Sequence, residues 1–383
     1  MRLLIAGDTV PNDLNQQCFV GSDIQNLLQG KLLKIWNAAE MRTLNLETPI
    51  TKNDKKITKQ GPNFKANPDT INGIYSLRPS IVALANNHIM DYSGQGLRDT
   101  IQALNSNNLE HIGAGESLTE TNHSKIIEYD GFKIGFYNCA EHEFSIATEN
   151  SPGANPYDPL ESFDHVEALK KQSDYVVVLF HGGKEYYRYP SPNLQRIARK
   201  MVEKGANLFV AQHSHCVGSY EEYLGGTIVY GQGNFLFNKE DKYKNPYWNN
   251  GILIEVDLQR DAGQLNEDIT FVPYVTQNKG IRLANDEEKS NILNPFFERS
   301  QQIKHAAFVH EQYQKFADAH LYTYLSKLSG FGKIFNKIDR KLFNHRVTKL
   351  IYGRNKRLAM QNYIECEAHR ELFIQGLKNK NKN

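Results

Sequence analysis

Residues 206–215 read Ala-Asn-Leu-Phe-Val-Ala-Gln-His-Ser-His. The apolar run Leu208–Ala211 ends in a glutamine and then two imidazoles at i and i+2. A continuous apolar run of this length predicts a strand covered on both faces. Such strands usually close on turn formers. This one closes on His213 and His215, and neutral imidazole is a common metal ligand. Just upstream, Leu194–Lys204 has helical character and Gly205 can cap it. Helix, glycine, buried strand and polar tip together read as one unit of an α/β sheet.

The same unit recurs along the first 260 residues. Strands are predicted at Leu3–Ala6, Thr43–Leu46, Ser80–Ala85, Phe132–Asn138, Tyr175–Phe180, Leu208–Ala211, Thr227–Tyr230 and Ile252–Leu258. Helical stretches fall at Ile24–Ala39, Thr70–Leu77, Gly96–Asn105 and Val166–Gln172. Lys125–Tyr129 and Phe132–Asn138 flank Asp130-Gly131, a hairpin signal. Ser151–Pro159 is a loop placed to rim a site. Alternation of this kind predicts a layered α/β domain, here over residues 1–285. Residues 286–383 change to a polar, helical character and form a separate extension.

In open α/β sheets, ligands bind beyond the carboxyl ends of the strands. Six strand ends here deliver polar groups: Asp8; Asn45 and Glu47; Asn86, Asn87, His88 and Asp91; His181 and Glu185; His213 and His215; and Asn234. Each has an ordinary reading by itself. Asp8 can cap a helix, Asn86 and Asn87 can form a turn, and Cys216 can simply pack. Their recurrence at successive strand ends points instead to one polar site. Mixed carboxylate, carboxamide and imidazole donors favour Mn, Fe or Zn over a thiolate zinc site. Enough donors are present for two ions sharing a carboxylate. Such a pair activates water and clamps an oxyanion.

Composition places the chain among soluble globular proteins: 383 residues, 40% hydrophobic and 23% charged. The opening apolar stretch is too short for a signal-peptide core, and no run reaches the length of a membrane span. The expected location is therefore cytoplasmic, including the inner face of the membrane. Four scattered cysteines predict no disulfide framework.

The net charge of +2 hides an asymmetry, since residues 327–383 hold 14 Lys/Arg against 4 Asp/Glu. Within Tyr322–Ile351 apolar residues recur at helical spacing with Lys and Arg between them. This reads as one basic amphipathic helix. It suits an anionic membrane surface, or packing on an acidic body. Nucleic acid is not expected, because no base-reading motif accompanies the charge.

The strings Ala85-Asn86-Asn87-His88, His181-Gly182-Gly183-Lys184-Glu185-Tyr186, Gly205 through His215, and Tyr230-Gly231-Gln232-Gly233-Asn234-Phe235 occur in one order. With Gly7-Asp8 and Asn45-Leu46-Glu47, they resemble the bacterial CapA family of poly-γ-glutamate capsule synthesis proteins. That family is related to calcineurin-like metallophosphoesterases. The resemblance covers about residues 1–275. It implies an α/β/β/α sandwich with a C-terminal helical extension and a divalent metal site of two ions. By motif, Asp8, Glu47, Asn87, His181, His213 and His215 would be metal ligands and His88 the catalytic acid. Glu185 and Asn234 match family positions that would contact substrate. Arg188, in the run Tyr186-Tyr187-Arg188-Tyr189, could pair with an anionic chain.

Two departures stand out. Metallophosphoesterases carry a histidine two residues after the first aspartate, where this chain has Val10. The family commonly reads His-Trp-Gly where this chain reads His181-Gly182-Gly183. The implied reaction is hydrolysis or transfer on a capsule or surface-polymer precursor, an anionic polymer or lipid-linked glycan, by a metal-activated hydroxide. A non-catalytic assembly factor and a phosphodiesterase or phosphatase for a small anion stay open as alternatives.

Overall fold

The computed structural model describes residues 1–240, 245–262 and 264–380. Two sheets carry the fold. The first has eight strands, in the order Leu28–Gln29, Gly280–Leu283, Gln264–Gln277, Asn250–Asp261, Arg2–Thr9, Met41–Leu46, Ile81–Ala83 and His111–Ile112. The last four of these are mutually parallel. The second has six, in the order Tyr220–Tyr223, Gly226–Tyr230, Leu208–Gln212, Tyr175–His181, Phe132–Ala140 and Lys125–Tyr129. Its middle four are parallel.

The layering follows from which residues each apolar cluster contains. Leu3, Ile5 and Ile81 of the first sheet pack with Ile134, Val177 and Val210 of the second, which is the seam between sheets. Alternate residues of the same strands face outward. Leu4, Leu44 and Val82 meet Phe19, Trp36 and Leu97 from one helical layer. Val176, Val178 and Phe209 meet Val166, Ile197 and Met201 from the other. The central strands are covered on both faces, so their runs are continuously apolar. This is the expected α/β/β/α sandwich.

Several local expectations change. Ile24–Ala39 is not one helix: Gly30, at φ +61, separates Ile24–Leu27 and a two-residue strand from the helix Lys31–Ala38. Gln264–Gln277, a 14-residue strand, has no counterpart among the predicted strands. Its first half is largely exposed and polar, so it lacks an apolar run, and pairing with Asn250–Asp261 holds it. The basic stretch is also divided, into Lys333–Leu342 and Arg346–Ile351, after a longer helix Ala306–Leu328.

The chain forms two compact units, Met1–Val309 and His310–Asn383. The break falls later than residue 285 because helix Asp286–Gln302 buries Ile292, Leu293 and Phe296 in the seam cluster. Among its described residues, the regular elements of the second unit are all helices. All four cysteines are free, as expected.

Candidate metal centre

The parallel strands of both sheets end on one edge of the sandwich. A register shift between Ile5 and Asp8 in the pairing with Met41–Leu46 re-aims the end of the first strand. Gly7 lies where an added Cβ would stand 2.3 Å from the carbonyl oxygen of Gly233, so only glycine lets the backbones approach. Asp8 then bridges to Asn234 in parallel fashion. Gln212 Nε2 donates to the Ala6 carbonyl at 3.2 Å and Gln232 Nε2 to the Ile5 carbonyl at 3.1 Å, tying the sheets together beneath the site.

Above this floor the donors converge. Asn45 Nδ2 donates to Asp8 Oδ1 at 2.8 Å, and the His213 amide donates to Asp8 Oδ2 at 3.2 Å. His215 Nδ1 lies 3.3 Å from Asp8 Oδ2 and 2.8 Å from Asn234 Oδ1. Both neighbours are acceptors, so Nδ1 carries a proton and Nε2 is the atom left to ligate. His181 Nε2 stands 3.1 Å from Asn87 Oδ1 and 3.2 Å from His213 Nδ1. Glu47 sits at the centre, its Oε1 3.5 Å from His181 Nε2 and 4.0 Å from the Nε2 atoms of His215 and His88.

His213 and His215 both adopt left-handed backbone, at φ +78 and +52. This region is unfavourable for a residue with a Cβ and is held only where surrounding structure enforces it. The loop that carries them is therefore built around the placement of two imidazoles.

The electrostatics are those of a cation site. Burial and the nearby Asp8 raise the Glu47 carboxyl well above its ordinary value. Neither of its oxygens has a hydrogen-bond partner among the described residues, and Asn234 Nδ2 is likewise unpartnered. Burial raises Asp8 too, but hydrogen bonding and charge from His215 and His181 outweigh it and hold the group low. Burial pushes His181 down to about 4, and pushes His213 well below its usual value. Burial also opposes a charge on His215, but Glu47 and Asp8 carry it up to about 9. Glu47, His213 and His215 offer ligand atoms within 4.8 Å of one another. A buried carboxylate with no donor on either oxygen, beside the lowered imidazoles of His181 and His213, fits a borderline divalent ion.

The remaining expected residues divide. His88 lies beside the ligands: its Nδ1 meets Asp91 Oδ2 at 2.6 Å and its ring stacks on Phe64 at 4.2 Å. Lys59, nearly fully buried, pairs with Asp91 and donates to the Asn87 carbonyl at 3.3 Å. Glu185 is half-buried and its charge reaches Glu47 and His215. Arg188 is different. Its Nε donates to the Val217 carbonyl at 3.0 Å, and its guanidinium lies 4.6 Å over the Tyr247 ring. Tyr187 is buried and Tyr189 packs on Phe308. Of that aromatic run only Tyr186 borders the ligands, 6.3 Å from the His215 ring.

Both departures in sequence acquire a physical account. Val10 belongs to an apolar cluster with Phe237 and Trp248. Those two rings stand 5.7 and 5.0 Å from the His215 ring, so an aromatic wall occupies the side where a further imidazole would come. At Gly182 an added Cβ would lie 2.5 Å from the Phe180 ring and 2.6 Å from Glu141. The site has room for Glu141 there in place of a tryptophan.

The family model described as bacterial capsule synthesis protein PGA_cap matches residues 2–239. The chain belongs to that family. The PGA biosynthesis protein CapA of Bacillus subtilis is 33% identical over 213 residues, covering 54% of this chain and 55% of that protein. The capsule biosynthesis protein CapA of Bacillus anthracis is 33% identical over 204 residues, covering 51% and 50%. The chain thus spans about half the length of the curated relatives it matches. A solved 5'-nucleotidase precursor from Thermus thermophilus aligns over 84% of this chain and 59% of its own at 16% identity, with a TM-score of 0.41. The capsule-synthesis family match ends at residue 239, so it includes every strand end that supplies a candidate ligand.

Asn45, Lys59, Asp91 and Glu143 hydrogen-bond to the candidate ligands or to His88 beside them. Glu143 accepts from Asn87 Nδ2 at 3.2 Å. Asn45 and Asp91 lie at strand tips and were visible as such. Lys59 and Glu143 come from loops, where no periodicity marks them.

Proposed function

We propose that the chain is a metal-dependent hydrolase or transferase acting on a capsule or surface-polymer precursor. The candidate substrates are an anionic polymer of the poly-γ-glutamate type and a lipid-linked glycan. The observation that carries this reading is the Glu47 carboxylate, buried, unpartnered and surrounded by the Nε2 atoms of His181, His215 and His88. The family membership supplies the substrate class.

Asp8, Glu47, Asn87, His181, His213 and His215 would hold two divalent ions, Mn, Fe or Zn. Bound there, such ions acidify water to a nucleophile and neutralise charge developing on the substrate oxygen. Around them the protein's tasks are positional. Asn45 and Asn234 orient Asp8 and His215 through the bonds described above. Asp91, paired with Lys59, fixes the His88 ring so that its Nε2 faces the ligands. With Nδ1 held by Asp91, Nε2 is the nitrogen left to take up a proton and pass it to the leaving oxygen or nitrogen, the role of a general acid. Phe64, Phe237 and Trp248 exclude water from one side.

A second reading, a non-catalytic assembly factor, is favoured by Val10. The first ion lacks a ligand there, and packed rings close the position.

One experiment separates the two. The purified chain is reconstituted with Mn or Zn, metal is counted by mass spectrometry, and γ-glutamyl and phosphoester probes are assayed. The enzyme reading expects bound metal and turnover that His213→Ala abolishes while circular dichroism is unchanged. A chain that retains no metal would remove most of the support for the enzyme reading and favour the assembly factor. Full turnover in His213→Ala would remove the proposed site.

A further inference from the structure

The second unit presents a surface that the metal site does not explain. In helix Lys333–Leu342 the one buried side chain is Asp339. Its oxygens are occupied, accepting from the Val347 amide at 3.0 Å and from the Thr348 amide and hydroxyl at 3.1 and 2.6 Å. The apolar residues face out: Ile334 is 77% exposed, Leu342 75%, Ile338 40% and Phe335 39%. An acid inside and large apolar groups outside invert the usual arrangement of a globular surface helix.

The pattern is ordered. At about 100° per residue, Ile334, Phe335, Ile338 and Leu342 share one arc of roughly a quarter-turn. Lys333, Lys337, Arg340 and Lys341 occupy the adjoining arc. From Lys327 to Arg357 the chain holds ten Lys/Arg and one Asp/Glu, which is Asp339. Since that carboxylate is buried and capped, the exposed charge along this stretch is of one sign.

We infer that helix Lys333–Leu342 lies on an anionic lipid surface, its four apolar side chains inserted at the headgroup boundary and its lysines and arginine on the phosphates. Apolar area alone would suit a second protein equally well. Charge complementarity decides for lipid, because a uniformly basic row beside an apolar arc matches a uniformly anionic plane. No helix among the described residues is long and apolar enough to cross a membrane. The contact is peripheral and reversible, and salt weakens it. It is independent of the metal site.

The test is co-sedimentation of the full chain with vesicles. Vesicles of mixed phosphatidylglycerol and phosphatidylcholine should bind it at low salt, and vesicles of phosphatidylcholine alone should not. Metal-depleted protein should bind equally well. Lys337→Gln and Arg340→Gln should each weaken binding about fivefold, the effect expected of one basic residue near such a surface. Ile334→Asp with Ile338→Asp should abolish it, with circular dichroism unchanged because both positions are exposed. The inference is overturned if anionic vesicles do not bind, or if the double variant binds as tightly as the parent. It is equally overturned if the chain self-associates in sedimentation analysis and the double variant restores the monomer, which would assign the face to a second copy.

Discussion

His181 Nε2 stands 3.5 Å from Glu47 Oε1, yet neither oxygen of that buried carboxylate accepts a hydrogen bond among the described residues. A fold normally satisfies such a group or omits it. Glu47→Gln should therefore separate stability from function. Without metal, the variant should be about 1–2 kcal/mol more stable, since an amide costs less to bury than an uncompensated acid. With Mn or Zn at a hundredfold excess over Kd, the parent should gain about 2.7 kcal/mol, and the variant far less. Thermal unfolding with and without metal measures both. A parent that metal does not stabilise would sink the idea.

The backbone at His215 makes a second test. At φ +52 a Cβ is penalised by about 1–2 kcal/mol, and glycine is not. Both His215→Gly and His215→Ala remove the imidazole. The glycine variant should be the more stable by about 1 kcal/mol in urea unfolding. Both should lose metal to the same degree by mass spectrometry. Equal stability of the two would mean that the strain at this loop is relieved by other means.

These two residues also mark how far the sequence could be read. The apolar run Leu208–Ala211 announced a buried strand, and the polar residues that follow each such run announced the site. Asp8, Glu47, Asn87, His181, His213 and His215 do meet. Arg188 was drawn by charge and proximity to His181, but a half-turn of chain carries it to Val217, because residue spacing in a loop does not set direction. Lys59 and Glu143 had no period to reveal them. Gln264–Gln277 was hidden by its polar exposed half, and it exists because its partner strand pairs with it. The continuous helix expected over the basic stretch is interrupted at Gly330, φ +77, and again at Asn344 and His345, φ +46 and +60.

Helix Asp286–Gln302 offers a prediction in pH. Asn285 and Glu288 form a capping box at its start, and Arg282 holds the Glu288 carboxylate at 2.6 and 2.7 Å. Hydrogen bonds from Arg282 and from the Asn285 amide lower that carboxyl from 4.5 to about 2. A folded value below the unfolded one stabilises the fold fully above pH ~4.5, and the contribution is lost as pH falls toward 2. Glu288→Gln should cost up to about 1 kcal/mol at pH 7. The gap between variant and parent in urea unfolding should narrow steadily below pH ~4.5. A gap that is constant with pH would assign the effect to helix propensity.

Arg299 holds the far side of the histidine loop. It is buried, and burial with the neighbouring Arg188 lowers its guanidinium to about 10. Its Nε donates to the Gly218 carbonyl at 2.8 Å and its Nη2 to the Val217 carbonyl at 3.1 Å. Arg188 Nε donates to the same Val217 carbonyl at 3.0 Å. Two guanidinium groups thus fix the chain two and three residues beyond His215, Arg188 from a loop and Arg299 from a helix that itself packs into the seam. Arg299→Ala takes the side-chain donor from the Gly218 carbonyl, leaves Val217 with Arg188 alone and empties volume, and should cost about 2–4 kcal/mol. Arg188→Ala leaves Val217 with one donor and should cost about 1 kcal/mol. Arg299→Lys keeps the charge but not the fork that reaches both carbonyls, and should recover less than half of the loss. If the clamp positions His215, the metal Kd of Arg299→Ala should rise about tenfold or more at a temperature where the variant is fully folded. An unchanged Kd in a destabilised variant would confine Arg299 to holding helix Asp286–Gln302 against the sheets.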